Sequence, residues 1–342
     1  GGDGVAALGL AVLTGIAEVR NDRGDAACGG AAEGVDHDEQ LHEVVVDRGA
    51  GGLDHEHVGA ADGLIDGDKV LPIREGAHLG VAQLRAHLLA DGLGQGAVGS
   101  AGKESIQFAR DDSGDNISER NPSFCELTGL YWAWKNLDSD YLGLAHYRRY
   151  FTLQGLNGWK YRKSSAEEKL KCVLSGRQLE KLVSKYPIIL PKKRNYLIET
   201  LYSHYAHSHY GVHLDVTREI IREKYPEYLE AFDETMKQRS GHMFNMYIMR
   251  RDLSDAYCEW VFDILFELEK RIDVAGLSVF QGRLYGRVSE IIFNVWLKYQ
   301  VEQHQYPVKE VGCMHLEPIN WTKKGGAFLK AKFFHEKYSG SF

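Results

Sequence analysis

The first 107 residues of this 342-residue chain contain no aromatic side chain: all 13 Phe, 18 Tyr and 6 Trp lie at or after Phe108. A segment so poor in large apolar groups has little with which to offset the entropy of ordering, so no stable core is expected there. Cysteine is scarce as well. Cys28, Cys125, Cys172, Cys258 and Cys313 are odd in number and form no Cys-x-x-Cys pair, which argues against a disulfide framework or a thiolate zinc site and for a reducing, cytoplasmic setting. Long apolar runs are missing too. The stretch 5–17 is broken by glycine and Thr14 and falls short of the roughly 20 residues a membrane span needs, so contact with a membrane is expected only at its inner surface.

Charge is unevenly spread. Residues 1–100 hold 6 Lys and Arg against 17 Asp and Glu, together with 21 of the 37 glycines, whereas residues 101–342 hold 35 against 31. The net charge of −7 is therefore a cancellation between an acidic segment and a weakly basic, aromatic-rich body. Such a body suits an anionic small ligand or a membrane surface, and nucleic acid is not expected as a partner. The chain divides into 1–105, read either as a poorly structured acidic tail or as a foreign reading frame fused to a real domain, and 106–342, a folded domain. Within the first part, 41–46 fits a strand and 79–89 a helix. The clusters Asp36, His37, Asp38, His42 and Asp54, His55, Glu56, His57 with Asp62, Asp66 and Asp68 carry metal-ligand types but no scaffold to hold them in register.

From Phe108 onward the patterning alternates. Helical spacing is expected over 127–137, 175–185, 198–225, 226–239, 253–272 and 279–301, and strands over 141–151, 186–190 and 242–251. That alternation indicates an α/β sheet flanked by helices, with ligands beyond the carboxyl ends of its strands. Those ends are cationic: His146, Arg148 and Arg149; Lys192, Lys193 and Arg194; Arg250 and Arg251. If neighbours, they form a rim for a phosphate or diphosphate.

The stretches GDNISERNPSFCELTGLYWAWKNL, YLGLAHYRRYF, IILPKKRNYLIETLYSHYAHSHY, SGHMFNMYIMRRDLSDAYCEWVFDILFELEKRI and GRLYGRVSEIIFNVWL resemble, in order and spacing over about 108–332, the domain-of-unknown-function-4422 family of bacterial capsular and exopolysaccharide glycosyltransferases. The resemblance implies a glycosyltransferase A type αβα sandwich with additional C-terminal helices. It also implies transfer of a hexosyl unit from a nucleotide diphosphate sugar to a lipid-linked saccharide. Family members open with a short strand that carries part of the nucleotide pocket; here residues 1–105 stand in its place, so the sheet is expected to lack it.

Under that resemblance the nucleotide sugar is assigned to Asp115, Asn116, Asn121, His146, Arg148, Arg149, Lys192, Lys193 and Arg194. Sugar or acceptor recognition falls to Tyr202, His204, His207, His242, Asn245, Arg283 and Arg287. A displacement needs a carboxylate base, for which Asp115, Glu199 and Glu290 stand open. Many enzymes of the fold hold a divalent metal with Asp-x-Asp, but Asp138-Ser139-Asp140 precedes its strand and sits at the wrong end, so no metal site is assigned. His209 and His213, four apart, are also spaced for zinc. Two rival readings are a non-catalytic saccharide-binding or assembly protein that lost nucleotide binding, and a histidine-based metallohydrolase.

Overall fold

Side chains along the strands alternate between two separate cores, and this alternation decides the architecture. The computed structural model describes the backbone of Leu10–Thr14, Gly63–Asp66, Lys69–Pro72 and Gly96–Ala97, and of 109–316 apart from 146–148, 156–160 and 162. Six strands form the main sheet: β1 (Leu10–Thr14), β2 (Tyr141–Ala145), β3 (Arg149–Thr152), β4 (Ile188–Pro191), β5 (Tyr247–Arg250) and β6 (Val308–His315), in the order β1-β2-β5-β4-β6-β3. β1, β2, β4 and β6 point one way; β5 and β3 run against them.

Leu142, Leu144, Ile188, Leu190, Tyr247 and Met249 enter one core, and Tyr141, Ala145, Ile189 and Ile248 enter the other. The first core is covered by α1 (Leu127–Asn136), and by the long helices introduced below; the second is covered by α2 (Gly176–Val183) through Leu179 and Val183. A sheet buried on both faces reads as continuous apolar runs, as YLGLA and IILP do. Ser175 starts α2 with a reciprocal capping box to Gln178. On the first face stand α3 (Leu201–Ser208), α4 (Val212–Lys224), α5 (Leu229–Lys237), α6 (Arg251–Arg271) and α7 (Leu284–His304). The result is the expected αβα sandwich. Among the described residues no helix is long and apolar enough to cross a membrane.

Several elements depart from the sequence expectation. The run 141–151 is two strands, β2 inside the sheet and β3 at its far edge, where Arg149 pairs with His315 of the unexpected strand β6. The helix expected over 198–225 breaks at 209–211 into α3 and α4, and the strand expected from 242 begins only at Tyr247. The sheet is not short of a first strand either: Leu10–Thr14 pairs in parallel register with Tyr141–Ala145. The strand expected over 41–46, the helix over 79–89 and the acidic histidine clusters, but for the backbone of Asp66, lie outside the described residues.

Gly143 in β2 shows how tightly the centre is built. A Cβ there would lie 2.8 Å from the Tyr247 carbonyl oxygen and 3.3 Å from the Ile248 Cα, both backbone atoms that cannot turn aside. Gly143→Ala is expected to destabilise by ~1–3 kcal/mol through overpacking, read as a lower urea midpoint at unchanged slope; an unchanged midpoint would contradict this account.

Candidate active site

The strand directions bring one set of loops together and separate another. β1, β2, β4 and β6 end at one edge of the sheet, the carboxyl edge, and β5 and β3 start there. Arg149 at the start of β3, and Lys192, Lys193 and Arg194 just past β4, therefore lie along this edge; His146 and Arg148 are outside the described residues. Arg250 does not join them. It pairs in register with Tyr141, the first residue of β2, at the opposite edge, and its guanidinium holds Asp252 with two 2.7 Å bonds. The three-cornered cationic rim is corrected accordingly, because β5 is antiparallel and its carboxyl end points the other way.

Helix α1 spans the two edges. Its preceding residue Glu126 bonds Asn245 just before β5, while the carbonyls of Trp134 and Leu137 at its other end accept from Arg251 just after β5. Asp115 belongs to that far end: its backbone N–H and C=O are both bonded by the Asn136 side chain, at 3.2 and 2.8 Å, and Tyr131 donates to its carboxylate. A ten-residue helix spans about 15 Å, so the structure does not bring Asp115 or Asn116 to the carboxyl edge. The Asn116 side chain closes a turn on Gly114 and Ser118. That of Asn121 bonds Cys125 and Thr128. Asp138-Ser139-Asp140 also lies at the far edge, where the Asp140 carbonyl accepts from the Arg251 N–H.

At the carboxyl edge a buried polar network forms where the Cys125–Glu126 turn, the 242–246 segment and α7 meet. The Asn245 Nδ2 donates to Glu126 Oε1 at 2.7 Å and to the Gly286 carbonyl at 3.0 Å, while its Oδ1 accepts from Ser289 at 2.8 Å. Asn245 is thus a latch with its amide occupied rather than a group free for a sugar. Glycine at 286 permits the approach, since a Cβ would stand 3.1 Å from Cys125 and from the Phe124 carbonyl oxygen. Three non-glycine residues in this small region, Cys125, Phe244 and Asn245, have positive φ of 54°, 76° and 52°. Such strain persists only where the surroundings over-determine it, and it gathers at functional sites.

Beside this latch stands Glu290 on α7. Burial above all, and the nearby Glu126 carboxylate, push its carboxyl up from the ordinary 4.5 to about 7, against the opposing pull of the Phe244 N–H, Arg149 and Arg287. Arg149 lies 4.2 Å over the Phe244 ring and Arg287 3.9 Å over the Phe280 ring. Burial lowers the Arg287 pKa from its ordinary value. Arg283, one turn earlier on the same face, donates to the Cys125 thiol at 3.2 Å. Arg283, Arg287 and Glu290 thus reach Cys125, Phe280 and Phe244 respectively beside the carboxyl edge.

The histidines divide by role. Glu199, 3% exposed, accepts from His204 Nδ1 at 2.8 Å and His207 Nδ1 at 2.6 Å. Burial raises its pKa, but the bonds from His207 and His204 outweigh that and hold it below the ordinary value. It orients two imidazoles, a duty at odds with taking up a proton. His242 is buried, donates from Nδ1 to the Pro191 carbonyl at 2.7 Å, and has Nε2 3.4 Å from Glu310, so it ties β4 to the 240–246 segment. His209 and His213 share no helix face: His209 follows α3 and sits 2.9 Å from Gln281, while His213, in α4, pairs with the Tyr205 hydroxyl. Burial drives their pKa values down to about 3 and about 4, leaving both neutral at pH 7. Tyr202 projects elsewhere, donating to Asp215 on α4.

Over residues 91–302 the chain matches the family described as a domain of unknown function, DUF4422. It belongs to that family. A solved structure titled "WbbM bifunctional glycosytransferase apo structure" is similar at 29% identity and a TM-score of 0.59, over 66% of this chain and 42% of that one. The chain thus spans less than half the length of that bifunctional protein. No curated protein matches. The DUF4422 match contains Glu126, Glu199, Asn245 and Glu290 but stops short of β6, the strand that places Arg149 at the edge. Glu126, Phe244 and Ser289 are the site residues that spacing did not single out. For Glu126 the available signal was a glutamate interrupting a buried-type run (CELTGL).

Proposed function

We infer that this DUF4422 chain is a glycosyltransferase that moves a hexosyl unit from a nucleotide diphosphate sugar to a lipid-linked saccharide in capsular, exopolysaccharide or lipopolysaccharide synthesis, working at the inner membrane surface. The observation that carries the reading is Glu290, a carboxyl with pKa about 7 set beside Arg149 and Arg287 at the carboxyl edge of the sheet. The likeness to the WbbM structure supports it. Of the three carboxylates open as base, Asp115 stands at the far end of α1 and Glu199 is committed to two histidines, which leaves Glu290.

In this reading Glu290 accepts the proton of the acceptor hydroxyl as that oxygen bonds the anomeric carbon and the bond to the diphosphate oxygen breaks. A base is most effective with a pKa near the working pH. Charge gathering on the departing diphosphate is met by Arg149 and by the cations past β4, Lys192, Lys193 and Arg194, in surroundings drier than water. Binding of a uridine diphosphate sugar is expected to raise the melting temperature of the full chain, and Arg149→Met to weaken that binding by about tenfold or more, the worth of one hydrogen bond to a charged group. A folded sample that no nucleotide sugar stabilises, yet that binds glycans, would favour the non-catalytic saccharide-binding alternative instead.

A further inference from the structure

Helices α3, α4 and α5 border a separate, open recess of about 480 Å³, within the range of small-molecule sites. Phe232 and Met236, both largely buried, line it with apolar surface, and Tyr202, Asp215, Arg218 and Asp233 line it with polar groups. The Tyr202 hydroxyl donates to Asp215 at 2.9 Å, and Arg218 grips Asp233 through two bonds of 2.7 Å. Both flanking elements lead straight to the carboxyl edge. α3 follows β4 through Arg194 and Asn195, and α5 runs into Ser240 and Gly241, which pair with those same two residues. Tyr202 and His204 are two residues apart on α3, so they lie on different faces of that helix.

The chemistry of the lining narrows the occupant. Asp215 and Asp233 are balanced by Arg218 and Lys237, so neither an anion nor a cation is selected by net charge. What remains, beyond the bonds these side chains make to one another, is the spare carboxylate lone pairs of Asp215 and Asp233 and the donors of Lys237, beside an apolar surface with an aromatic ring. That combination matches a neutral sugar, which offers an apolar C–H face and neighbouring hydroxyls that donate to carboxylates and accept from an ammonium. We propose that this recess is a subsite for a neutral sugar unit of the acceptor, one that does not itself react. The assignment to the acceptor rests on the transferase reading above; the binding of a sugar does not.

Saturation-transfer NMR on the full chain with the methyl glycosides of galactose, glucose, mannose and rhamnose tests it. Transfer to at least one glycoside is expected with the wild type and its loss in Asp215→Ala/Arg218→Ala. The Arg218–Asp233 pair is more than a third exposed on both sides and contributes little to stability, so that variant is expected to remain folded by circular dichroism. No transfer to any of the four glycosides, or equal transfer from wild type and double variant, overturns the proposal. Hydrolysis of uridine diphosphate sugars in the same samples reports on the carboxyl edge independently. Sugar binding at the recess with no turnover of any donor would sink the transferase reading and the acceptor assignment, while upholding the sugar site.

Discussion

Replacing Glu290 by glutamine is expected to lower kcat by ~10²–10⁴, the usual worth of a positioned base, and at the same time to stabilise the protein above neutral pH. The second effect follows from the raised pKa. A carboxyl that titrates at 4.5 when unfolded and about 7 when folded binds its proton more tightly in the native state. Its contribution to stability is fully present below pH 4.5 and is lost as pH rises through about 7. The ionised form therefore costs about 3 kcal/mol of stability at pH 8, which the amide, with no proton to lose, avoids. Thermal melts of both proteins at pH 5 and pH 8 are expected to coincide more closely at the lower pH and to favour the variant at the higher. For the wild type, kcat/KM is expected to rise with pH through about 7. Retention of kcat in the variant would remove Glu290 from the chemistry. A melting temperature no higher at pH 8 would show that the carboxylate is not held in the unfavourable surroundings described.

Asn245→Ala carries the largest expected loss of stability. The substitution removes the donor that Glu126 Oε1 and the Gly286 carbonyl share and the acceptor of Ser289, all within a site that is 3% exposed at Asn245. Leaving a buried carboxylate without that bond costs ~1–3 kcal/mol or more, and alanine tolerates the φ of 52° less well than asparagine, adding roughly another 1 kcal/mol. A drop of about 3 kcal/mol in denaturant unfolding is expected, with donor turnover falling too as the Cys125–Glu126 turn and α7 lose their common tie. Asn245→Ser, which keeps one polar group but not the reach, is expected to recover little of it. A loss below ~1 kcal/mol would show that the latch does not hold these segments together.

The helices were largely legible because the information is local: the apolar spacing of 127–137, 175–185 and 253–272 lies within a turn or two along the chain. Breaks in long helical patterns were harder to see. Gly211 and Arg283 interrupt runs whose helical spacing continues on both sides, 198–225 and 279–301. Strand β6, VKEVGCMH, was missed: lysine and glutamate occupy its first half, where it is half-buried or exposed, and only its second half is buried.

The chain's own letters determined the class of fold, the contrast between the first hundred residues and the body, and which helix carries Arg287 and Glu290 on one face, since each depends on spacing along a single element. The tertiary structure alone decided which ends of those elements meet. An antiparallel β5 moved Arg250 to the far edge, and the span of α1 moved Asp115 with it; strand direction and helix polarity are properties of pairing, not of spacing. The titration of Glu290 belongs to the fold in the same sense, because it is set by the burial and the charges of Glu126, Arg149 and Arg287, residues drawn from three different parts of the chain.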